Sequence, residues 1–402
     1  MRAELALDRQ AATSKSLWFI IIGILLAGAN MRAAISSVGP LIGFIREDTG
    51  LSNAAMGWMT TIPLIGFAVL SPFAPAIARR FGTERTLVAS LLLMTAGIAA
   101  RVLESVPMLF LGTAAVGVAI AVCNVLLPSV VKKNFPSRVG FMTGVYSTTM
   151  TLVASIAASV SVPLAQGAGW GWRNALLAWG ALSFVGLLIW LPLARSRSGE
   201  GSRTAKQASG NGPNVWKSGL AWQITLFMGF QSFNFYVCVA WLPDILIGKG
   251  WAPEHAGFML SLMQLSGIPF NFLIPTIAEK LKNQKAVAAG GAFVSLLGYV
   301  GLLTADSAVL TLSVVLMGAG QGICISLALM LIAVRARNAA QAASLSGMVQ
   351  SMGYTLAALG PLGLGLLHDA VSSWTLPIFA LAGSSIVMIF AGIGAGRNRY
   401  VS

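Results

Sequence analysis

The chain has 402 residues, 56% of them hydrophobic and only 9% charged, with a formal net charge of +14. Soluble domains carry about 25% charged residues, so a water-soluble globular protein is excluded. The positive balance, which in a soluble protein would point to nucleic acid, reads here as a topology signal, and no nucleic-acid partner is expected.

Apolar runs long enough to cross a bilayer, about 20 residues each, recur from end to end. Twelve spans are predicted, over 16–42, 53–77, 86–103, 107–131, 139–165, 174–194, 218–246, 254–278, 286–304, 308–333, 340–367 and 374–395. The first run follows Arg9 and Lys15 and passes Ala27-Gly28-Ala29, as a signal peptide would. It continues beyond that point and opens a repeat, so no cleavage is expected. Residues 195–217 are polar, basic and rich in Gly and Ser, the composition of a flexible linker. They divide the chain into an N-terminal six-helix half, 1–194, and a C-terminal one, 218–402.

Lys and Arg sort by side. Twenty-one fall in the tails, the linker and the even-to-odd loops, four (Arg46, Arg101, Arg173, Lys249) in the alternate loops, and Arg32 within a span. That asymmetry places both termini and the linker in the cytoplasm, with the chain crossing the membrane many times. Cys123, Cys238 and Cys324 all lie in predicted spans and give neither a disulfide framework nor metal-ligand spacing, so no metal or cofactor is expected.

The halves repeat. At an offset of 200, Gly50 falls on Gly250, Met59 on Met259 and Pro75 on Pro275; further along, Cys123 falls on Cys324 and Gly144 on Gly347. Two parallel six-helix repeats joined by a linker resemble the architecture of major facilitator transporters. The expected fold is therefore an all-α membrane protein of twelve transmembrane helices in two pseudo-symmetric halves, with substrate held at the midplane between them. The loop after the second span resembles the family's Gly-x-x-x-Asp-Arg-x-Gly-Arg signature: Arg80 and Gly82 are kept, the leading glycine is Pro75 and the acid is Arg79. Glu84 lies too far along to replace that acid, so the gate latch is expected to be rewired.

Other stretches resemble the cyanate permease and 2-nitroimidazole transporter family of major facilitators. These are Asn30-Met31-Arg32 with Ser36 to Leu41, Asn124 to Pro128 with Lys132, Tyr236 with Trp241-Leu242-Pro243, and Leu345 to Met348 with Gln350, Gly353 and Tyr354. The resemblance implies a secondary carrier of small anions or small polar heterocycles.

Arg32 is the sole ionisable side chain in Leu17–Ile45, and all twelve acids lie in tails or loops. An arginine at mid-span costs ~2.5–3.5 kcal/mol on insertion scales, so it faces a wet cavity or a partner. Its planar fork suits a carboxylate, nitro or similar acceptor group. A structural arginine bonded to helix carbonyls is the alternative. Around it the expected substrate-binding set is Ser36, Asn124, Tyr146, Thr149, Gln231, Asn234, Tyr236, Gln350 and Tyr354. In the seventh span Gln231, Asn234, Cys238 and Trp241 fall on one face, and Tyr236 on another. Asn30, two residues from Arg32, is expected to brace a neighbouring helix as readily as touch substrate. Pro40 and Pro243 occupy corresponding places and, with Arg80 and Gly82, are the expected gating positions.

The leading function is alternating-access transport of a small anion or polar heterocycle such as cyanate or a 2-nitroimidazole. A broad drug or metabolite exporter is the alternative, weakened by the lack of a membrane-embedded carboxylate. An enzyme is not expected, because no nucleophile, base and acid share one depth. The expected partners are a small-molecule substrate, the lipid bilayer and protons as a candidate coupling ion, with the protein a monomer.

Overall fold

The structure, a computed structural model, describes residues 2–51, 53–196 and 214–402; the middle of the expected linker, 197–213, lies outside them. Every regular element among the described residues is helical. That is what hydrocarbon demands, since a helix satisfies its own N–H and C=O groups. Span 1 is Arg2–Ser36, continued by Ile42–Thr49; span 2 is Asn53–Leu70 with Ala74–Phe81. Spans 3 to 6 are Thr83–Arg101, Val106–Asn134, Val139–Val162 and Gly171–Ser196. Spans 7 to 12 are Gly219–Ile247, Pro253–Ala278, Lys285–Gly301, Ser307–Val334, Ala339–Val371 and Thr375–Ala395. Among the described residues nine helices are long and apolar enough to cross a membrane, and the bent span 2 makes a tenth. Span 9 is a shorter apolar helix of 17 residues, and span 11, at 33 residues, is ample in length.

Two breaks shape the N-terminal half. Pro40 has no N–H to return to Ser36, and Gly39–Leu41 tightens into a 3-10 turn. The Val38 N–H turns to the Ile35 carbonyl at 3.2 Å, which leaves the Ala34 carbonyl without its helical donor. Span 2 bends by 60° between Thr61–Leu70 and Ala74–Phe81, at Pro72 and Phe73. Pro243, expected to match Pro40 as a kink, instead sits inside one continuous helix. No glycine precedes it, and its neighbours are pinned: Trp241 Nε1 donates to the Pro361 carbonyl at 2.8 Å, and Leu242 is fully buried.

Within the N-terminal half, Trp190 of span 6 donates to the Gly23 carbonyl of span 1 at 2.9 Å. Asn30 donates to the Leu182 carbonyl at 3.1 Å, the bracing role expected of it. Cys123 and Cys324, repeat partners, are both fully buried. The face that bears residue 402 and the ends flanking 197–213 is called the terminal face below. Four hydrogen bonds between the halves lie between mid-membrane and that face. Ser351 of span 11 donates to the Ala68 carbonyl of span 2 at 2.6 Å. Across the pseudo-equivalent seam, Ser147 donates to the Asn271 carbonyl at 3.1 Å, Asn271 Nδ2 donates to Thr151 at 2.9 Å, and the Phe141 N–H donates to Glu279 at 3.2 Å. Glycines let the backbones meet: a Cβ on Gly144 would stand 2.7 Å from the Phe272 carbonyl, and one on Gly347 would stand 2.9 Å from the Ser71 carbonyl. The repeat partners thus do the same work on opposite seams.

At the signature loop, Gly82 ends span 2 with φ +92°, a conformation that favours glycine. Arg80 lies over the Phe81 ring at 5.3 Å. Glu84 pairs with Lys133 at 2.7 Å, tying the start of span 3 to the end of span 4.

Candidate functional site

Arg32 sits half-buried at the seam between the halves, just ahead of the break in span 1. Its guanidinium lies within hydrogen-bonding reach of the Tyr236 hydroxyl on span 7, and its charge acts on Tyr354 of span 11. The Tyr236 and Tyr354 rings are 6.5 Å apart, centroid to centroid, and Tyr354 meets Phe67 of span 2 at 4.9 Å. Four spans from both halves therefore converge on one cation and three rings. No Asp or Glu pairs with Arg32 among the described residues; the ion pairs seen, Lys133–Glu84 and Arg173–Asp48, lie at helix ends. A unit negative charge placed 4 Å from such a guanidinium gains ~4 kcal/mol at an effective dielectric constant of 20.

One helical turn from Tyr354, Gln350 is fully buried, and neither end of its amide has a hydrogen-bond partner. The Tyr146 hydroxyl on span 5 is likewise buried and unpaired. A buried polar group left unpaired costs ~1–3 kcal/mol, so such groups belong where they acquire partners at another stage of a cycle. Ser36 and Asn124 are half-buried, and Thr149 spends its hydroxyl on its own helix, donating to the Val145 carbonyl at 2.9 Å.

The face of span 7 differs from the sequence reading. Gln231, Asn234, Cys238 and Trp241 do fall along that helix at regular spacing, but they look into the C-terminal half. Gln231 pairs with Gln321 at 2.7 Å, and Gln321 meets the Tyr299 hydroxyl at 2.8 Å. Asn234 is fully buried against span 12, where Nδ2 donates to Ser385 at 3.3 Å and Oδ1 accepts from Ser384. Cys238 faces Tyr299. These amides are satisfied within one half, and Tyr236, on the other face, is the residue that meets Arg32. Helical spacing shows which residues share a face but not which neighbour that face meets.

The charge count groups Arg101 with the alternate loops, at the end of the predicted span 86–103. It is instead 2% exposed at the end of span 3. Nη1 donates to the Ala34 carbonyl at 2.7 Å, the acceptor freed by the span 1 break, and Nε donates to Thr113 at 3.1 Å. Thr113 in turn donates to the Leu109 carbonyl at 2.7 Å and reaches Met59 Sδ at 3.5 Å. This guanidinium caps the helix segment that presents Arg32. The signal available in the sequence was its place at the end of an apolar run.

A twelve-span bundle with a polar cluster on its inter-half seam defines an integral membrane carrier. A family profile, Major Facilitator Superfamily, matches residues 20–358, and the chain belongs to that superfamily. It is similar to the 2-nitroimidazole transporter of Escherichia coli (strain K12), 41% identical over 97% of this chain and 98% of that one. It is also similar to the cyanate transport protein CynX of the same organism, 24% identical over 92% of this chain and 96% of that one. Among solved structures, the proton:xylose symporter XylE bound to 6-bromo-6-deoxy-D-glucose superposes with a TM-score of 0.76 at 14% identity, over 96% of this chain and 98% of that one. These likenesses bear out the major facilitator fold and the carrier function expected from the sequence.

Proposed function

We propose that this carrier moves a planar, acceptor-bearing solute, a small anion or a small polar heterocycle such as a nitroimidazole, by alternating access around Arg32. The observation that carries the reading is the meeting of Arg32 with Tyr236 across the seam, with Tyr354 and Phe67 beside them and no acid in the cluster. A guanidinium offers a flat pair of donors to a nitro group or carboxylate. The adjoining rings offer faces and edges for a planar ring to pack on. A linear anion such as cyanate would use the cation but leave the rings idle. The whole-length likeness to a 2-nitroimidazole transporter at 41%, against 24% for a cyanate carrier, supports the same order.

In this reading residues 1–194 and 218–402 are the two rocking halves, joined through 195–217. The 21 basic residues counted toward the terminal face put that face in the cytoplasm of the bacterial inner membrane. In this reading the hydrogen bonds of Ser351, Ser147 and Asn271 are the cytoplasmic pin, and the site opens to the outside while they hold. Ser36, Asn124, Tyr146, Thr149 and Gln350 complete the substrate-binding set, and Gln231 and Asn234 brace the C-terminal half instead. Pro40 gives span 1 its bend, and Arg80 and Gly82 form the cytoplasmic turn of the gate. The carrier works as a monomer and couples to protons. With no carboxylate in the cluster, the proton enters on the substrate.

The test is a ligand screen on the purified chain. Thermal shift and tracer binding with 2-nitroimidazole, benzoate-sized carboxylates and cyanate should rank the planar ring compounds first. Preference for cyanate over every ring compound would refute the role given to the tyrosines.

A further inference from the structure

A second site lies away from the seam, on the terminal face, at the outer edge of the C-terminal half. Spans 9 and 12 pack side by side, and where their ends meet there is a cavity of about 430 Å³ lined by Asn283, Lys285, Arg397, Asn398 and Arg399. Three of the five lining residues are cations, two are amides, and none is an acid. The lining side chains are exposed, and the backbone that carries them is a fixed frame. The Gln284 N–H donates to the Gly396 carbonyl at 2.9 Å, and the Val401 N–H donates to the Arg335 carbonyl at 2.9 Å. Gln341 donates to the Val401 carbonyl at 2.9 Å. The stretch Gly396–Val401 is thereby strapped across the start of span 9.

The strap is held from behind by a buried cation. Arg335 donates to the Ala395 carbonyl at 3.3 Å, to the Gly396 carbonyl at 3.2 Å and to Gln284 Oε1. Burial pushes its pKa down, and Tyr400 acts in the opposite sense. Because Gln284 spends its amide on Arg335 and on the Ala278 and Leu281 carbonyls, at 2.9 and 3.2 Å, it places no cap over the first turn of span 9. The positive end of that helix adds to the charge around the cavity.

We propose that this cavity binds the phosphate of an anionic membrane phospholipid. Phosphate oxygens match guanidinium forks and amide donors, and the lining supplies both. The location selects a lipid over a soluble phosphate. Below the cavity, spans 9 and 12 expose Phe293, Leu297, Ile386 and Phe390, an apolar wall along which acyl chains can lie. Arg397 and Arg399 stand just past the end of span 12, and Lys285 begins span 9, so all three sit at headgroup depth. The headgroup would bridge the two spans and hold the strap closed. This inference rests on the membrane placement of the chain and not on what the central site carries.

The test uses the full chain in mild detergent, with melting temperature and retained lipid followed as phosphatidylglycerol or phosphatidylcholine is titrated in. Phosphatidylglycerol should stabilise the protein and phosphatidylcholine should not. Each basic residue near a membrane surface contributes about a fivefold factor, so Arg397→Gln/Arg399→Gln should weaken the response roughly thirtyfold. The isoelectric control Arg138→Gln/Lys280→Gln, on the same face outside the cavity, reports the general surface attraction and should lose clearly less than the cavity variant does. Should the double variant fail to fold, Lys285→Gln alone should weaken the response roughly fivefold. Equal losses in cavity and control variants, or equal responses to both lipids, would overturn the site. Stabilisation by millimolar inorganic phosphate that also displaces the lipid would assign a soluble phosphate and overturn the lipid reading.

Discussion

Replacing Gly347 by Ala should loosen the closed side of the carrier. The new methyl carbon would stand 2.9 Å from the Ser71 carbonyl oxygen and 3.0 Å from Pro75 Cγ. Both neighbours belong to the bend in span 2, whose backbone cannot swing aside as a long side chain can. Overpacking of this kind costs ~1–3 kcal/mol. The seam exists only in the conformation closed on the terminal face, so the cost falls on that state alone and should shift the equilibrium away from it about 5- to 150-fold. Gly144→Ala, 2.7 Å from the Phe272 carbonyl on the other seam, should act in the same direction. Spin labels at Arg138→Cys and Lys280→Cys, both exposed on the terminal face, would report the spacing of the halves, and the native cysteines are buried. Double electron–electron resonance should show a longer-distance population growing in each variant and further in the pair. Gly290→Ala, whose Cβ would meet nothing within 4 Å, should leave the distances alone. Folded Gly347→Ala and Gly144→Ala proteins with the wild-type distance distribution would refute the assignment of these glycines to a seam that opens.

Other outcomes follow from the same contacts. Arg101→Ala removes the donors to the Ala34 carbonyl and Thr113 and leaves a cavity, so denaturation should become easier by ~1–3 kcal/mol, and no loss of stability would contradict the capping role. Asn234→Ala should cost ~0.5–1.5 kcal/mol of stability by removing its hydrogen bonds to Ser384 and Ser385, whose hydroxyls keep the Leu381 carbonyl, yet leave ligand affinity within about twofold; selective loss of binding would return Asn234 to the site. A cysteine at Gly201 in a cysteine-free background should resist impermeant reagents in whole cells while one at Ser307 reacts, and equal labelling would reverse the assigned topology.

The fold was legible because membrane helices announce themselves by length, and because the repeat survives in paired residues such as Gly144 and Gly347. Arg32 was legible for a single reason, the cost of a charge inside an apolar run. What the sequence hid was rotation and depth. Gln231, Asn234 and Cys238 share a face, but periodicity alone does not say whether that face meets the seam or span 12. Arg101 follows an apolar run as a loop residue would, and only the break at Pro40, which frees the Ala34 carbonyl, explains why it is buried. Pro243 matched Pro40 in sequence but not in effect, because the helix around it is held by Trp241 and Leu242.

Ligand affinity and melting temperature measured together in Arg32→Ala, Arg32→Gln and Arg32→Lys test the central claim most directly. A charge-assisted hydrogen bond contributes ~1.5–3 kcal/mol, so Arg32→Ala should lose binding about 10- to 150-fold. Arg32→Lys, with charge but no planar fork, should fall between wild type and Ala. Arg32→Gln should match Ala for an anion and keep part of the affinity for a neutral nitro compound. The melting temperature should hold or rise in all three, since each removes or shortens a half-buried cation with no acid partner. A folded Arg32→Ala protein with wild-type affinity and transport would contradict the account, as would three variants that lose stability and keep their ligand.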